Sequence, residues 1–354
     1  MAVVSLEGVG VVGLAAAVPK NRIDNLVPAG IFTEEDARAV VDKTGIRTRR
    51  VAPASVCASD LCHLAADRLL NDMGIDRSTI DVLIFVSQTP DYRMPATAVL
   101  LQHRLRLTRA TGAFDVNLGC SGFVYGLWMA SSFCAQPAVR RVLLLNGETR
   151  TKAYSPRDKA TGLLFGDAGS ATLLEKCEGA GTSFFSFNSD GSRGDFISIK
   201  GGGYRHPSSP ETLREKTYEN GSVRSDEHGV MNGPGVFEFL IEEVPGDIRR
   251  ILTASGATIG EIDAFVFHQA NKFMNEHLRR KLRIPAEKMP YSLHEYGNTS
   301  SVSIPLTMVT QLGTMLRERR NRLLLSGFGV GLSWGSAVLS TERMHVSELA
   351  ELDA

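Results

Sequence analysis

The sequence repeats itself once. In the first half DVLIFVSQT (81–89), NLGCSGF (117–123), RRVLLLNGE (140–148) and GDAGSATLLE (166–175) follow one another. In the second half DAFVFHQAN (263–271), YGNTSSV (296–302), RRNRLLLSGFG (319–329) and WGSAVLSTE (334–342) follow in the same order. Each series reads as a strand, a small-residue turn into a helix, a second strand, and a third strand near glycine. One duplicated α/β unit accounts for both series. If the halves pack about a pseudo-twofold axis, three side chains converge between them. Cys120 sits at the turn of the first half and Asn298 at the matching turn of the second. His268 follows the strand that matches Val82–Ser87.

The remaining elements agree. Val82–Ser87, Arg141–Gly147 and Ser170–Glu175 are short β-branched runs expected to be buried strands. Ala58–Gly74 has helical apolar spacing and stops at glycine. Such alternation points to an α/β fold with covered sheets. The division expected is 1–177, 178–345 and a tail, 346–354. The acidic stretch STERMHVSELAELDA is read as an extension beyond the fold, folding at most into a short surface helix. The apolar N-terminus has no basic region ahead of it and Glu7 interrupts it, so it reads as a first buried strand. No apolar run is long enough to span a membrane, which takes about 18 residues or more.

Lys+Arg and Asp+Glu both number 39, so bulk charge gives no argument for nucleic acid or an anionic surface. The five cysteines form no CxxC pair and no cluster with zinc spacing. A disulfide scaffold and a metal site are therefore not expected, and a reducing cytoplasm fits.

Cys120 stands between Gly119 and Gly122, ahead of an apolar helix containing Val124, Leu127, Trp128 and Met129. A buried structural cysteine is the commoner fate of a thiol. At a helix start, however, the positive end of the macrodipole favours the thiolate. The free N–H groups of the same turn can hold a developing oxyanion. His268 closes the run AFVF, at the carboxyl end of a strand, where ligand groups collect in α/β sheets. Taken alone it is as readily a core histidine. Asn298, after Gly297, is taken alone more readily a turn or cap asparagine.

In this order NLGCSGF, FHQAN, YGNTSS and GVGLSWGSA resemble the β-ketoacyl-[acyl-carrier-protein] synthase III family of the thiolase superfamily. KTGIRTRR (43–50) and LLFGDAGSATLLE (163–175) are similar to two further signatures, so the resemblance covers about residues 8–340. It implies a duplicated thiolase-like fold in five αβαβα layers and a homodimer. It implies a Cys120 nucleophile completed by His268 and Asn298, with backbone N–H groups of Cys120 and Val330 as the oxyanion hole. The implied reaction joins an acyl-CoA or acyl-carrier primer to a malonyl thioester, with acyl carrier protein as partner and no cofactor. Claisen thiolases use a second cysteine near the C-terminus, and none follows Cys177 here. An acyltransferase of the same fold, passing the acyl group to another acceptor, is the alternative.

The chain also departs from the pattern. Ala39 stands where relatives that prime from acetyl-CoA stack adenine on Trp. Lys159 stands for an Arg on the other side of that ring. Phe273, two residues beyond Asn271, replaces a basic residue. Met94 stands for a Phe that closes the acyl pocket from the partner subunit, which implies room for primers longer than acetyl. Arg280 and Lys281, with Arg279 and Arg283 in NEHLRRKLRIP, match the basic face that docks acyl carrier protein. Such residues otherwise form an ordinary solvated face. Lys200–Pro210 is glycine-rich but lacks a phosphate-loop ending, and is read as a variable loop near the tunnel mouth with no helix clearly following.

Overall fold

A computed structural model of the chain describes residues 3–27 and 30–353. Two mixed sheets carry the duplication. In the first, the order is Val9–Pro19, Asp167–Lys176, Arg141–Thr149, Val82–Val86, Gly112–Val116. In the second it is Val3–Leu6, Ser183–Ser189, Ser333–Thr341, Asn321–Gly329, Ala264–Phe267. The repeated segments occupy equivalent places. Arg141–Thr149 pairs parallel with Val82–Val86 and antiparallel with Asp167–Lys176. Asn321–Gly329 pairs parallel with Ala264–Phe267 and antiparallel with Ser333–Thr341.

The layers follow from which faces are apolar. Strand Val82–Val86 is buried throughout, so it needs cover on both faces. On the inner faces lie helices Gly122–Cys134 and Ser303–Glu318, and one core cluster joins them to both sheets. Ala58–Asp72 and Thr97–Arg104 cover the outside of the first sheet. Gly233–Ala254 and Lys272–Leu282 cover the outside of the second. The result is the five-layer αβαβα thiolase-like arrangement, with both catalytic-candidate turns opening onto the central layer.

Two expectations fail locally. The tail is not a surface helix. His345–Val346 and Ala350–Leu352 both pair parallel with Val9–Pro19 and extend the first sheet at its edge. Glu351 reaches Arg50 at 2.7 Å, and Lys20 reaches Asp353 at 2.8 Å. Backbone pairing to a distant edge outweighs the helical reading of a short acidic run. A short helix, Pro210–Leu213, does follow the glycine-rich segment, because Ser209 and Thr212 form a capping box ahead of Pro210.

Candidate active site

Cys120 lies two residues ahead of helix Gly122–Cys134, whose N-cap is Ser121. The turn is tight: the Gly122 N–H donates to the Gly119 carbonyl at 2.7 Å. Glycine is required across from it. A Cβ on Gly329 would stand 2.7 Å from both Cβ and Sγ of Cys120, and one on Gly327 would stand 2.9 Å from the Cys120 carbonyl oxygen. The SGFGVG strand end of the second half therefore lies directly on the cysteine turn of the first. Val330 in that segment donates its backbone N–H to the Cys120 sulfur.

His268 prolongs strand Ala264–Phe267 by one step, its N–H donating to the Ser326 carbonyl at 2.8 Å. It is 2% exposed. Nδ1 lies 2.8 Å from the Ser303 hydroxyl. That hydroxyl donates to the Ser300 carbonyl at 2.8 Å and accepts the Gln269 N–H at 3.2 Å. Its one proton is thus committed, so it accepts from Nδ1–H. Nε2 is left for Cys120, with which the ring is hydrogen-bonded.

Asn298 is oriented by its own turn. Oδ1 accepts the Ser300 N–H at 2.9 Å, which fixes Nδ2 as the donor; one of its N–H groups reaches the Ala270 carbonyl at 3.4 Å and the other is left for a ligand. The backbone is clamped to the first half: Asn298 N–H donates to Leu164 O at 3.0 Å, and Gly166 N–H donates to Asn298 O at 3.1 Å. Buried Arg49 secures that clamp, donating to the Phe165 carbonyl at 3.0 Å and to Asn25 Oδ1 at 2.8 Å. This gives the KTGIRTRR and LLFGDAGSATLLE segments a physical role. They hold the asparagine turn in place.

Cys120, His268, Asn298 and Val330 line one cavity of about 40 Å³. Burial pushes the Cys120 thiol up, but the charge and hydrogen bond of His268, the charge of Arg150 and the Val330 N–H outweigh it and hold the thiol at about 6. Burial drives the thiols of Cys57, Cys62 and Cys134 upward instead. Cys120 is the thiol poised to be a thiolate near neutral pH, and two side-chain donors and a backbone N–H surround it. Such a site can hold an acyl group on sulfur and stabilise an oxyanion. Among the described residues no cluster of metal-ligating side chains occurs.

An outer cavity of about 590 Å³ adjoins the inner one, with Asn271, Met231, Leu164 and Met274 common to both walls. Ala39, Lys159 and Phe273 line it. Lys159 is not free there: its ammonium lies 3.2 Å from Asp36. Phe273 packs on Phe237 with ring centroids 5.2 Å apart. Met94 lies outside both cavities of its own chain, 79% exposed. Lys200–Pro210 lines neither cavity. Its Gly202 and Tyr204 instead meet Arg93, beside Met94. Of the basic helix Lys272–Leu282, Arg280 projects with a side chain 76% exposed. Arg279 is tied to Glu276 and the Ile284 carbonyl, and the Lys281 ammonium donates to the Ile241 carbonyl at 2.6 Å.

Sequence reading missed Arg49, Ser303, Glu148 and Arg150. The last two place opposite charges two residues apart at the end of a buried strand, a signal that was available.

Comparison with known proteins bears on the family and the fold. Residues 114–191 match the family model for 3-oxoacyl-[acyl-carrier-protein] synthase III, and residues 252–341 match its C-terminal model. The β-ketoacyl-[acyl-carrier-protein] synthase III of Desulfitobacterium hafniense strain Y51 is 33% identical over 342 residues, covering 96% of this chain and 100% of that one. The crystal structure of a 3-oxoacyl-(acyl-carrier protein) synthase from Burkholderia xenovorans LB400 superposes with TM-score 0.93 at 39% identity, covering 99% of each chain. The priming β-ketosynthase of the R1128 polyketide pathway superposes with TM-score 0.81 at 25% identity, covering 96% of this chain and 98% of that one.

Proposed function

Because this chain belongs to the 3-oxoacyl-[acyl-carrier-protein] synthase III family of condensing acyltransferases, we propose that it joins an acyl thioester primer to a malonyl thioester through an acyl-Cys120 intermediate, releasing CO2. The observation that carries this is the meeting of a depressed thiol with His268 and Asn298 in one cavity.

The Cys120 thiol passes its proton to His268 Nε2, and the thiolate attacks the primer carbonyl. The carbonyl oxygen becomes an oxyanion held by the N–H groups of Cys120 and Val330. The carbon–sulfur bond to the carrier breaks, and the departing thiolate takes a proton from solvent. His268 keeps both of its N–H groups. The malonyl thioester then enters, and its carbon–carbon bond to the carboxylate breaks. The thioester oxygen of the resulting enolate accepts from His268 Nε2–H and Asn298 Nδ2–H. The enolate carbon attacks acyl-Cys120, and collapse frees the β-ketoacyl thioester and the thiolate. The net change consumes one proton and releases one carrier thiol and one CO2.

Malonyl is delivered most naturally on acyl carrier protein, an acidic partner that exposed Arg280 would steer. Lys281, whose ammonium is already bonded, contributes less. The CoA-gripping features are weak: Ala39 offers no stacking face and Lys159 is paired. A homodimer, with Met94 closing the acyl pocket of the partner subunit, fits its exposure in the single chain. The five free cysteines suit a reducing cytoplasm, to which we assign the reaction.

The test is intact-mass measurement of the protein against a panel of acyl-CoA and acyl-carrier donors. A mass gain of one acyl group, absent in Cys120→Ala, is expected. Labelled CO2 released from carboxyl-labelled malonyl thioester separates condensation from acyl transfer to another acceptor. An adduct without CO2 release would favour the latter.

A further inference from the structure

Arg150 and Glu148 form an ion pair buried against the site. Arg150 is 6% exposed and Glu148 is fully buried. Their closest approach, Nε to Oε2, is 3.5 Å, and Nε makes no hydrogen bond. Nη2 donates to Ser300 Oγ at 3.2 Å and also to Gln88 Oε1. Ser300 Oγ donates to Glu148 Oε1 at 3.3 Å, and Thr89 Oγ1 donates to Oε2 at 3.2 Å. Arg150 lines the Cys120 cavity and Glu148 does not, so the sulfur faces the cationic member.

A buried pair of this kind is a poor source of stability, since desolvation offsets the attraction. An apolar wall would serve an acyl group better. Ser300 adds a reason for the pair's position. It holds left-handed backbone, φ 53°, its N–H fixes Asn298, and its carbonyl receives the hydroxyl that orients His268.

We propose that Arg150 is a positioning residue for the Cys120 thiolate, its guanidinium a fixed counter-charge in the cavity wall, and that Glu148 limits how much of that charge the sulfur feels. The inference rests on Cys120 being the reactive thiol. His268 from the second half and Arg150 and Tyr154 from the first line the cavity with the sulfur, and Glu148, behind Arg150, reaches it through charge alone. Two of them favour the thiolate, while Glu148 opposes it. Burial pushes Glu148 itself up to about 7, against the pull of Arg150. Around neutral pH a proton on Glu148 leaves Arg150 uncompensated and strengthens its hold on the thiolate.

The test is the pH dependence of Cys120 alkylation by iodoacetamide, read by mass in the full chain. Arg150→Met is expected to raise the midpoint by about one pH unit or more. Arg150→Lys should stay near wild type. Glu148→Gln should lower the midpoint, opposite to Arg150→Met. A purely structural pair would shift neither, or both in one direction, and either result overturns the proposal. If Arg150→Met does not fold, Glu148→Gln decides alone: a lower midpoint supports the role, and an unchanged or higher one removes it. Alkylation needs no acyl donor or malonyl thioester, so failure here is distinct from failure of the condensation reading.

Discussion

The Ser303 hydroxyl stands 2.8 Å from His268 Nδ1 with its own proton given to the Ser300 carbonyl. The imidazole is thereby held with Nδ1–H outward and Nε2 toward the sulfur. Ser303→Ala leaves that N–H without its partner and frees the ring. Condensation should fall about tenfold, the worth of one such hydrogen bond. Steady-state kinetics check it, and Ser303→Thr, which keeps the hydroxyl, should recover most of the rate.

Gly329 faces Cys120 with no room for a side chain. Its φ of 154° also disfavours one. Gly329→Ala should cost about 1–3 kcal/mol through overpacking. Because the displaced atoms belong to the nucleophile, acylation should fail before the fold does. Thermal melting and the intact-mass assay together separate the two effects.

Arg49 holds the asparagine turn through the Phe165 carbonyl and packs beside Gly297, where a Cβ would stand 3.1 Å from its Cγ. Arg49→Met removes two buried hydrogen bonds and should destabilise by about 2–4 kcal/mol. It should lower CO2 release more than Cys120 alkylation, since the cysteine turn has other supports. Equal losses in both assays would contradict a role confined to Asn298.

Ala39 leaves the outer cavity wide. Ala39→Trp restores an aromatic face and should lower the KM for an acyl-CoA donor by about three- to tenfold, with kcat little changed. Acyl-carrier donors should show no such gain.

The thiol at about 6 predicts its own pH profile. Alkylation of Cys120 should be half-maximal near that pH and flat well above it. Stability carries the same signature. A thiol depressed by folding contributes stability above its unfolded value, and loses it as pH falls through the folded one. Wild type should therefore gain on Cys120→Ala as pH rises from about 6 toward 9, the ordinary thiol value. Denaturant titrations at several pH values read the difference.

The duplication and its three converging residues were legible because each rests on local signals: small residues beside Cys120 and Asn298, and an apolar run ahead of His268. The strands followed from the same patterns, and the five layers from the family resemblance. Arg150 and Glu148 left a local signal, opposite charges at the end of a buried strand, but what they act on is a cavity that forms only when the halves meet. Ser303 looked like any helix-start serine until its hydroxyl was placed against a ring from another strand. The tail was misjudged because its partner is an edge strand near the other end of the chain. The glycine-rich segment, read as a loop near the tunnel mouth, lines neither cavity of its own chain and meets Arg93, Asp226 and Glu227.

That tail has a kinetic consequence. The contact between Lys20 and Asp353 closes a loop of 333 residues. Pairing along that rim of the first sheet is entropically costly while the intervening chain is unfolded, and until it forms the backbone amides there are unpaired. Late, long-range closures are slow, and an open rim invites pairing with another molecule. His345–Val346 and Ala350–Leu352 act as a seam that ends this vulnerable interval, and the fold is sealed by the strands that chemistry at Cys120 never touches.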